Sequence, residues 1–370
     1  MPKATETTLE INLAALAHNF NYLKSKIKEA TKFLAVVKAF AYGSDATKVA
    51  SKLEQLGVDY LAVAYTQEGV TLRKAGISTP ILVLHPQPSS FDVLLKHCLE
   101  PSLYSPRIMR LFLEKMASHK IKNYPIHLKF NTGLNRLGFW ENDIDFITSQ
   151  LKGRSDIKVI SVFSHLAASE DANEKDFTQQ QLSSFKKIIQ NIDAALPNKP
   201  IKHILNTSGI INYASEQLDM VRSGIGLYGF GNDVKIDKDL KPIATLKTII
   251  SQIHKIEPHE SVGYNRAYTS DGYRKTATLP IGHADGISRQ YGNNNTTYVY
   301  INNQKAPIIG NVCMDMIMID VSEIDCKEGD EVIIFDGTHN AAEFAASANT
   351  ISYEILTSIS QRVKRSYIDA

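Results

Sequence analysis

Between about residues 33 and 226 the chain repeats one phrase: a short β-branched apolar run, then a longer stretch whose apolar residues recur at helical spacing. The runs are FLAVVKA (33–39), YLAVAY (60–65), PILVLH (80–85), EPSLYS (100–105), PIHLKF (125–130), IKVISVFSHL (157–166), IKHILN (201–206) and MVRSGIG (220–226), with EPSLYS the least apolar. Between them, stretches such as DATKVASKLEQLG, SPRIMRLFLEKMASH and EKDFTQQQLSSFKKIIQNIDAAL are long enough to cross back over a sheet and deliver the next strand in parallel. Eight strand-helix units in roughly 200 residues predict an α/β protein with a closed (β/α)8 barrel of the TIM type, not an open doubly wound sheet.

After residue 240 strands follow one another directly. TYVYINNQKAPIIG and EVIIFDGTHN are punctuated by Asn-Asn and Asp-Gly, which predicts a mostly antiparallel β domain. The expected division is a barrel domain over 1–240 and a β domain over 241–370, the latter ending in a helical tail around NAAEFAASANTISYEILTSISQRV.

Composition narrows the function without naming it. Of 370 residues, 43% are hydrophobic and 22% charged, ordinary values for a globular chain with a sizeable core. A net charge of +2 with neither half owning the excess gives no broad electrostatic footprint for nucleic acid. Cys98, Cys313 and Cys326 are too scattered for a disulfide framework, and without a CxxC pair they offer no zinc site. The start, MPKATETTLEIN, lacks the apolar core of a signal peptide, and no apolar run approaches the ~18 residues of a membrane span, so a cytoplasmic protein is expected.

In an α/β barrel the chemistry gathers where the strands end, so the residues at those ends matter most. The first run ends in Lys38, followed by Tyr42; the fifth carries Lys129 and leads to Arg136; the sixth ends near His165. The seventh closes on Asn206 and Thr207, and the eighth holds Arg222 ahead of Gly224 and Ile225. Each has a plain reading taken singly: a lysine reaching solvent along its stem, a hydrogen-bonded core histidine, arginines in ion pairs. Their convergence on one rim favours chemistry. Lys38 lies within FLAVVKAFAY, where an ammonium among apolar neighbours is costly and a lowered pKa makes it a candidate Schiff-base nucleophile.

Gly224-Ile225-Gly226-Leu227-Tyr228-Gly229 spells GxGxxG, yet no long helix or second strand follows to make a dinucleotide site. Its exposed backbone N–H groups suit an anion in the barrel's last loop instead. In the second domain Tyr264 sits in a Gly-containing polar stretch. Asp315 interrupts an apolar strand, either as an ion-pair partner or as a ligand contact.

The strings VVKAFAYG, LKFNTGLNRLGF, FSHLAASED, LNTSG, MVRSGIGLYG, VGYNRAY, IGHADGISR, GNVCMDM and TISYE resemble, in that order and over nearly the whole chain, the motifs of bacterial alanine racemases. The resemblance implies a barrel holding pyridoxal 5'-phosphate, a carboxyl-terminal β domain with which the first strand (about 7–12) packs, and a head-to-tail homodimer with shared active sites. It implies interconversion of L- and D-alanine through an aldimine, supplying D-alanine for peptidoglycan. It makes Lys38 the cofactor-bound lysine and base for D-alanine, and Tyr264 of the partner subunit the base for L-alanine.

Tyr42, Asn206, Thr207, the backbone of Gly224 and Ile225, and Tyr353 fall to cofactor binding, most of them at the phosphate. Arg222 falls to the pyridine nitrogen and His165 beside it. Arg136 and the backbone of Met314 contact the substrate carboxylate, with Lys129, often carbamylated in the family, and Asp315 behind them. No metal is implied. Phe40, Asn131, His283 and Asn311 depart from the residues usual at their positions, which bears on substrate breadth, rate and dimer affinity. The competing expectations are a racemase of broader range, such as one for serine, and a non-enzymatic pyridoxal phosphate barrel. A decarboxylase of the same fold is disfavoured, because its ring-nitrogen partner is usually acidic.

Overall fold

The computed structural model describes residues 4–119, 121–231 and 237–369. Ala17–Ala41 with Ala46–Leu240 form one compact unit, and Met1–Leu16, Tyr42–Asp45 and Lys241–Ala370 form the other.

The first unit is an eight-stranded parallel barrel. Its strands are β2 (Lys32–Val36), β3 (Tyr60–Val63), β4 (Ile81–Val83), β5 (Glu100–Leu103), β6 (Tyr124–Lys129), β7 (Ile157–Phe163), β8 (Ile201–His203) and β9 (Met220–Ser223), after an initial β1 (Thr8–Asn12). They pair in the order β8-β7-β6-β5-β4-β3-β2-β9. The seam between β8 and β9 is bridged by Asp219 N–H to Lys202 O at 3.1 Å and Arg222 N–H to Leu205 O at 3.0 Å.

All eight runs form strands, each ending two to three residues before its apolar pattern does except PIHLKF, which stops one short. Pairing outlasts some of these ends, since Val37 N–H still reaches Ala62 O at 2.9 Å and His85 N–H reaches Ala64 O at 2.9 Å. EPSLYS holds as a strand because Glu100–Leu103 is buried along its whole length. Leu34, Ala62, Leu82 and Met220 fill the interior with Phe163.

The crossing helices owe their position to caps and apolar faces. The Ser105 hydroxyl accepts from Ile108 N–H, Pro106 occupies the first turn, and Ile108, Met109, Phe112, Leu113 and Met116 of Pro106–Ala117 are buried. Lys175–Ala195, the longest helix described, buries Leu182, Phe185, Ile188 and Ile192.

In the second unit the strands are β10 (Ala244–Ile249), β11 (Gln252–Ile256), β12 (Ser261–Val262), β13 (Tyr268–Thr269), β14 (Arg274–Leu279), β15 (Tyr298–Ile301), β16 (Gln304–Ile309), β17 (Ile317–Asp320), β18 (Glu331–Phe335) and β19 (Lys364–Ile368). β12 and β13 pair with each other, and the large sheet runs β11-β14-β17-β16-β15-β18-β10-β1-β19. β1 lies antiparallel to β10, with Leu9 opposite Leu246, and parallel to β19, with Leu9 opposite Arg365. A buried ion pair, Lys247 Nζ to Glu10 Oε2 at 2.9 Å, crosses the first of these pairings. Asn302 and Asn303 both take positive φ in the two-residue turn joining β15 to β16, the backbone that turns a tight hairpin.

Two expectations are corrected. The helical tail is broken into Ala341–Ala346 and Ser352–Ser358 by Asn349 at φ 57°, and it is followed by β19. The barrel segment up to residue 240 is not continuous either, for Tyr42–Asp45 belongs to the β unit. There Arg365 Nη2 donates to Gly43 O at 2.8 Å, the Tyr367 hydroxyl donates to Asp45, and a Cβ at residue 43 would collide with Leu356 O. No described helix is long and apolar enough to cross a membrane.

Candidate active site

β2 stops at Val36, so Lys38 is not a strand residue. It opens a left-handed turn in which Ala39, Phe40, Ala41 and Tyr42 all have φ between 51° and 55°, and Gly43 continues at 80°. Left-handed backbone costs an L-residue roughly 1–2 kcal/mol, so four in succession must be held from outside. Glu68 supplies part of the hold. Its Oε1 accepts Ala39 N–H at 2.6 Å, while Oε2 accepts Ala64 N–H at 2.7 Å and Tyr65 N–H at 3.0 Å, tying the turn to the start of the helix Thr66–Lys74. Burial holds the Lys38 amine below the ordinary lysine value, Arg136 lowers it further, and Glu68 opposes both.

Arg222 is buried on β9. Its Nη1 donates to His203 Nδ1 at 2.6 Å; its Nη2 donates to Ser164 O at 2.6 Å, Ile204 O at 3.0 Å and His165 Nδ1 at 3.1 Å. Burial brings the guanidinium down to about 9. Guanidinium has no acceptor, so the His165 nitrogen facing it must carry a lone pair. The His165 imidazole is held well below its usual value by burial, then by Arg222, Arg136, Lys129 and Lys38, which keeps that lone pair in place.

Lys129, at the end of β6, is lowered to about 8 by burial and then by Arg136, Arg222 and Lys38. Lys38, Lys129, Arg136 and Arg222 thus form a cationic cluster at the strand ends, an environment that favours an anionic ligand. Arg136 itself is exposed, on a loop organised by Asn131. The Asn131 Oδ1 accepts Gly133 N–H at 3.2 Å and Asn135 N–H at 2.9 Å, and its Nδ2 donates to Asn135 Oδ1 at 2.8 Å. An aspartate could accept both N–H groups but could not make the last bond.

Where β8 and β9 end, the Thr207 hydroxyl lies 3.0 Å from that of Ser223 and accepts Gly226 N–H at 3.3 Å. Residue 226 must be glycine for this approach, because a Cβ would stand 2.5 Å from Thr207 Cγ2. The GxGxxG stretch forms a short 3-10 turn, Ile225–Tyr228, as expected of a decoy. Asn206, expected at the cofactor, has its oxygen committed elsewhere: Oδ1 caps Thr207–Asn212 through Gly209 N–H at 2.9 Å and accepts the Ser169 hydroxyl at 2.7 Å.

The β unit carries the remaining expected residues. Tyr42 is buried with its ring 5.9 Å from that of Tyr353, and burial, then Tyr353, raises its phenol. Tyr264 is 67% exposed and Met314 59% exposed. Tyr264 begins a turn in which Asn265 has φ 59°, and Asn311 Nδ2 donates to Tyr264 O at 3.1 Å. Asp315 corrects the expectation of a strand interior. It lies in an exposed bend before β17 and pairs with Arg362 Nη2 at 2.6 Å, which makes it an ion-pair partner within this unit.

Sequence reasoning passed over Glu68 and four interior polar residues: Glu100, His127, Ser161 and His203. Their signal was present, since a polar residue at the inward parity of an apolar strand faces the barrel interior.

An (β/α)8 barrel whose strand ends gather a buried arginine and two lysines, in a chain that also carries an antiparallel β domain, defines a two-domain barrel enzyme. Residues 11–231 match the family model described as alanine racemase, N-terminal domain, and residues 243–367 match that of the alanine racemase C-terminal domain. An alanine racemase of Halothermothrix orenii is 39% identical over 98% of this chain and 96% of its own. The solved alanine racemase of Clostridium difficile 630 superposes with a TM-score of 0.92 at 34% identity, covering 100% of this chain and 97% of that one. The alanine racemase from Bartonella henselae, solved with covalently bound pyridoxal phosphate, gives 0.89 at 28% identity over 99% and 100% of the two chains. The chain belongs to the alanine racemase family.

Proposed function

We propose that this chain interconverts L- and D-alanine with pyridoxal phosphate as cofactor, in the cytoplasm, as one half of a homodimer, and that its product feeds peptidoglycan. The observation carrying the reading is the amine of Lys38, lowered by burial and set among Arg136, Lys129 and Arg222 at the strand ends. The residues fit the cofactor. The cationic cluster suits its phenolate and the substrate carboxylate, and the close approach of Gly226 to Thr207 brings the Thr207 hydroxyl against the Gly224–Gly229 turn that follows β9. Lys38 would hold the aldehyde, Thr207 with the backbone of Gly224 and Ile225 would receive the phosphate together with Tyr42 and Tyr353, and Arg222 would face the ring nitrogen. When bound, the cofactor supplies an electron sink that makes the substrate's α-proton removable.

Inversion at one carbon is served by two bases on opposite faces. Lys38 Nζ takes or returns the proton of D-alanine, and Tyr264 Oη of the partner subunit that of L-alanine. Lowering the amine below the ordinary lysine value favours the unprotonated form that a base needs. Arg222 donates hydrogen bonds without readily giving up a proton, so facing the ring nitrogen it would leave that nitrogen unprotonated and the electron sink weak, which would disfavour proton delivery elsewhere. Arg136 and the backbone of Met314 orient the substrate carboxylate. The exposure of Tyr264 and Met314 in the single chain supports a role against a second copy.

The test is borohydride reduction of the loaded protein followed by peptide mapping. The cofactor should be fixed on Lys38, and K38A should neither be labelled nor racemise alanine. A label on another lysine, or racemisation by K38A, would overturn the reading.

A further inference from the structure

Five adjacent barrel strands each contribute one polar residue to a continuous interior chain. Arg222 on β9 donates to His203 on β8, His203 Nε2 lies 3.0 Å from the Ser161 hydroxyl on β7, and Ser161 Oγ lies 2.6 Å from His127 Nδ1 on β6. His127 Nε2 then lies 2.7 Å from Glu100 Oε2 on β5. All five residues are buried, and His127 and Ser161 are register partners.

The direction of every bond follows from its ends. Guanidinium only donates, so His203 Nδ1 holds a lone pair and the proton of the neutral ring is on Nε2, directed at Ser161. At the other end a carboxylate accepts the His127 Nε2 proton, while His127 Nδ1 accepts from Ser161, whose hydroxyl proton has no other acceptor among the described contacts once His203 donates to it. The single hydroxyl proton of Ser161 completes the path by pointing from His203 toward His127. Both ends share the same sense, with every donor facing away from Arg222. The arrangement also matters for charge. The four acceptors of Arg222 given above are uncharged, and the carboxylate connected to it is Glu100, three side chains away. An uncompensated buried charge is costly, and a polarised chain ending on an anion offsets part of that cost.

We propose that Glu100, His127, Ser161 and His203 are positioning residues for Arg222: their one-way hydrogen-bond chain fixes the orientation of the guanidinium and keeps it a charged donor toward the cofactor ring. The role toward the ring rests on the function proposed above; the direction of the chain does not. Around its ends, Arg222 faces His165 and Lys129 besides His203, and Glu100 faces Tyr60, Tyr124 and Arg73 besides His127.

Nitrogen-15 NMR of the histidine-labelled full chain, with and without pyridoxal phosphate, tests the direction. His127 and His203 should both be neutral and protonated at Nε2 alone at pH 7. A doubly protonated His127, or a proton on His203 Nδ1, would overturn the chain. E100Q keeps an acceptor for His127 but removes the charge, so kcat should fall severalfold and its pH profile should move to lower pH by roughly half a unit or more, because basic groups facing Arg222 titrate lower once the negative charge is gone. Its KM should stay within about twofold, since Glu100 touches no substrate. S161A keeps both charges and cuts the path, and should lower kcat at unchanged KM. An E100Q profile superimposing on that of the unaltered protein would overturn the proposal. Failure to take up pyridoxal phosphate would instead overturn the cofactor reading, and the histidine tautomers of the free chain would still decide the chain's direction.

Discussion

Ala39 is exposed, stands at φ 52° and has its N–H held by Glu68, so replacing it with glycine isolates the cost of left-handed backbone from that of burial. Removing the Cβ relieves roughly 1–2 kcal/mol at that residue. The freer unfolded chain of a glycine takes back about 0.4–1 kcal/mol, leaving a net stabilisation of about 0.5–1 kcal/mol. In a right-handed helix the same change would destabilise by about 1 kcal/mol, so the two backbones predict opposite signs. Ala41, also left-handed but fully buried, provides the control. A41G gains the same relief but loses a methyl worth about 0.8 kcal/mol, and should come out near neutral. Urea melts of both variants in the cofactor-free chain give the comparison. A39G less stable than the parent by about 1 kcal/mol would refute the left-handed turn as a source of strain.

The other expectations concern the site. Y264F should racemise alanine 10²- to 10⁴-fold more slowly yet still exchange the α-proton of D-alanine with solvent, since Lys38 remains; equal loss of both activities, read by proton NMR and polarimetry, would contradict separate bases. R222E should slow racemisation and expose a long-wavelength absorbance as the electron sink strengthens; an unchanged rate would count against Arg222 at the ring. The folded-state pKa of Lys129 lies near 8, below its unfolded value of about 10.5, so the unfolded chain binds the extra proton between those limits and folding stability rises with pH across them. Relative to K129M, the parent should therefore gain roughly 3 kcal/mol from below pH 8 to pH 10.5; a pH-independent difference in denaturation would show that Lys129 is not held as described.

The barrel was legible in the sequence because most of its strands carry apolar residues on both faces, which leaves short runs that no amphipathic helix imitates. Even EPSLYS could be placed, by its position in the repeat. Strand ends were less legible, because apolar residues continue into the loops: Ala39 prolongs the pattern of β2 although the chain has already turned. Nothing in KAFAY signals that turn, since left-handed backbone is normally marked by glycine or asparagine and only Gly43 follows. β19 was hidden for another reason. KRSYI is polar and pairs with β1 at the opposite end of the chain, and such long-range pairing leaves no local pattern.

The candidate site divided along similar lines. Lys38, Lys129, His165 and Arg222 could be read because they end or follow strands. Asp315 was misplaced, because the apolar residues around it suggested a strand where Met314 and Met316 are in fact exposed. His203 and His127 were missed because attention went to the residues that end each run, whereas the meaning of these two lies in which neighbours their inward parity brings together.

The account's central claim is that this chain places a base on each side of one carbon. Incubating the purified, pyridoxal phosphate-loaded protein with L-alanine in deuterated water tests it most directly. Optical rotation should decay to zero while deuterium enters the α-position of both enantiomers. Deuterium uptake with rotation retained would reveal a single base, and no uptake at all would contradict a racemase altogether.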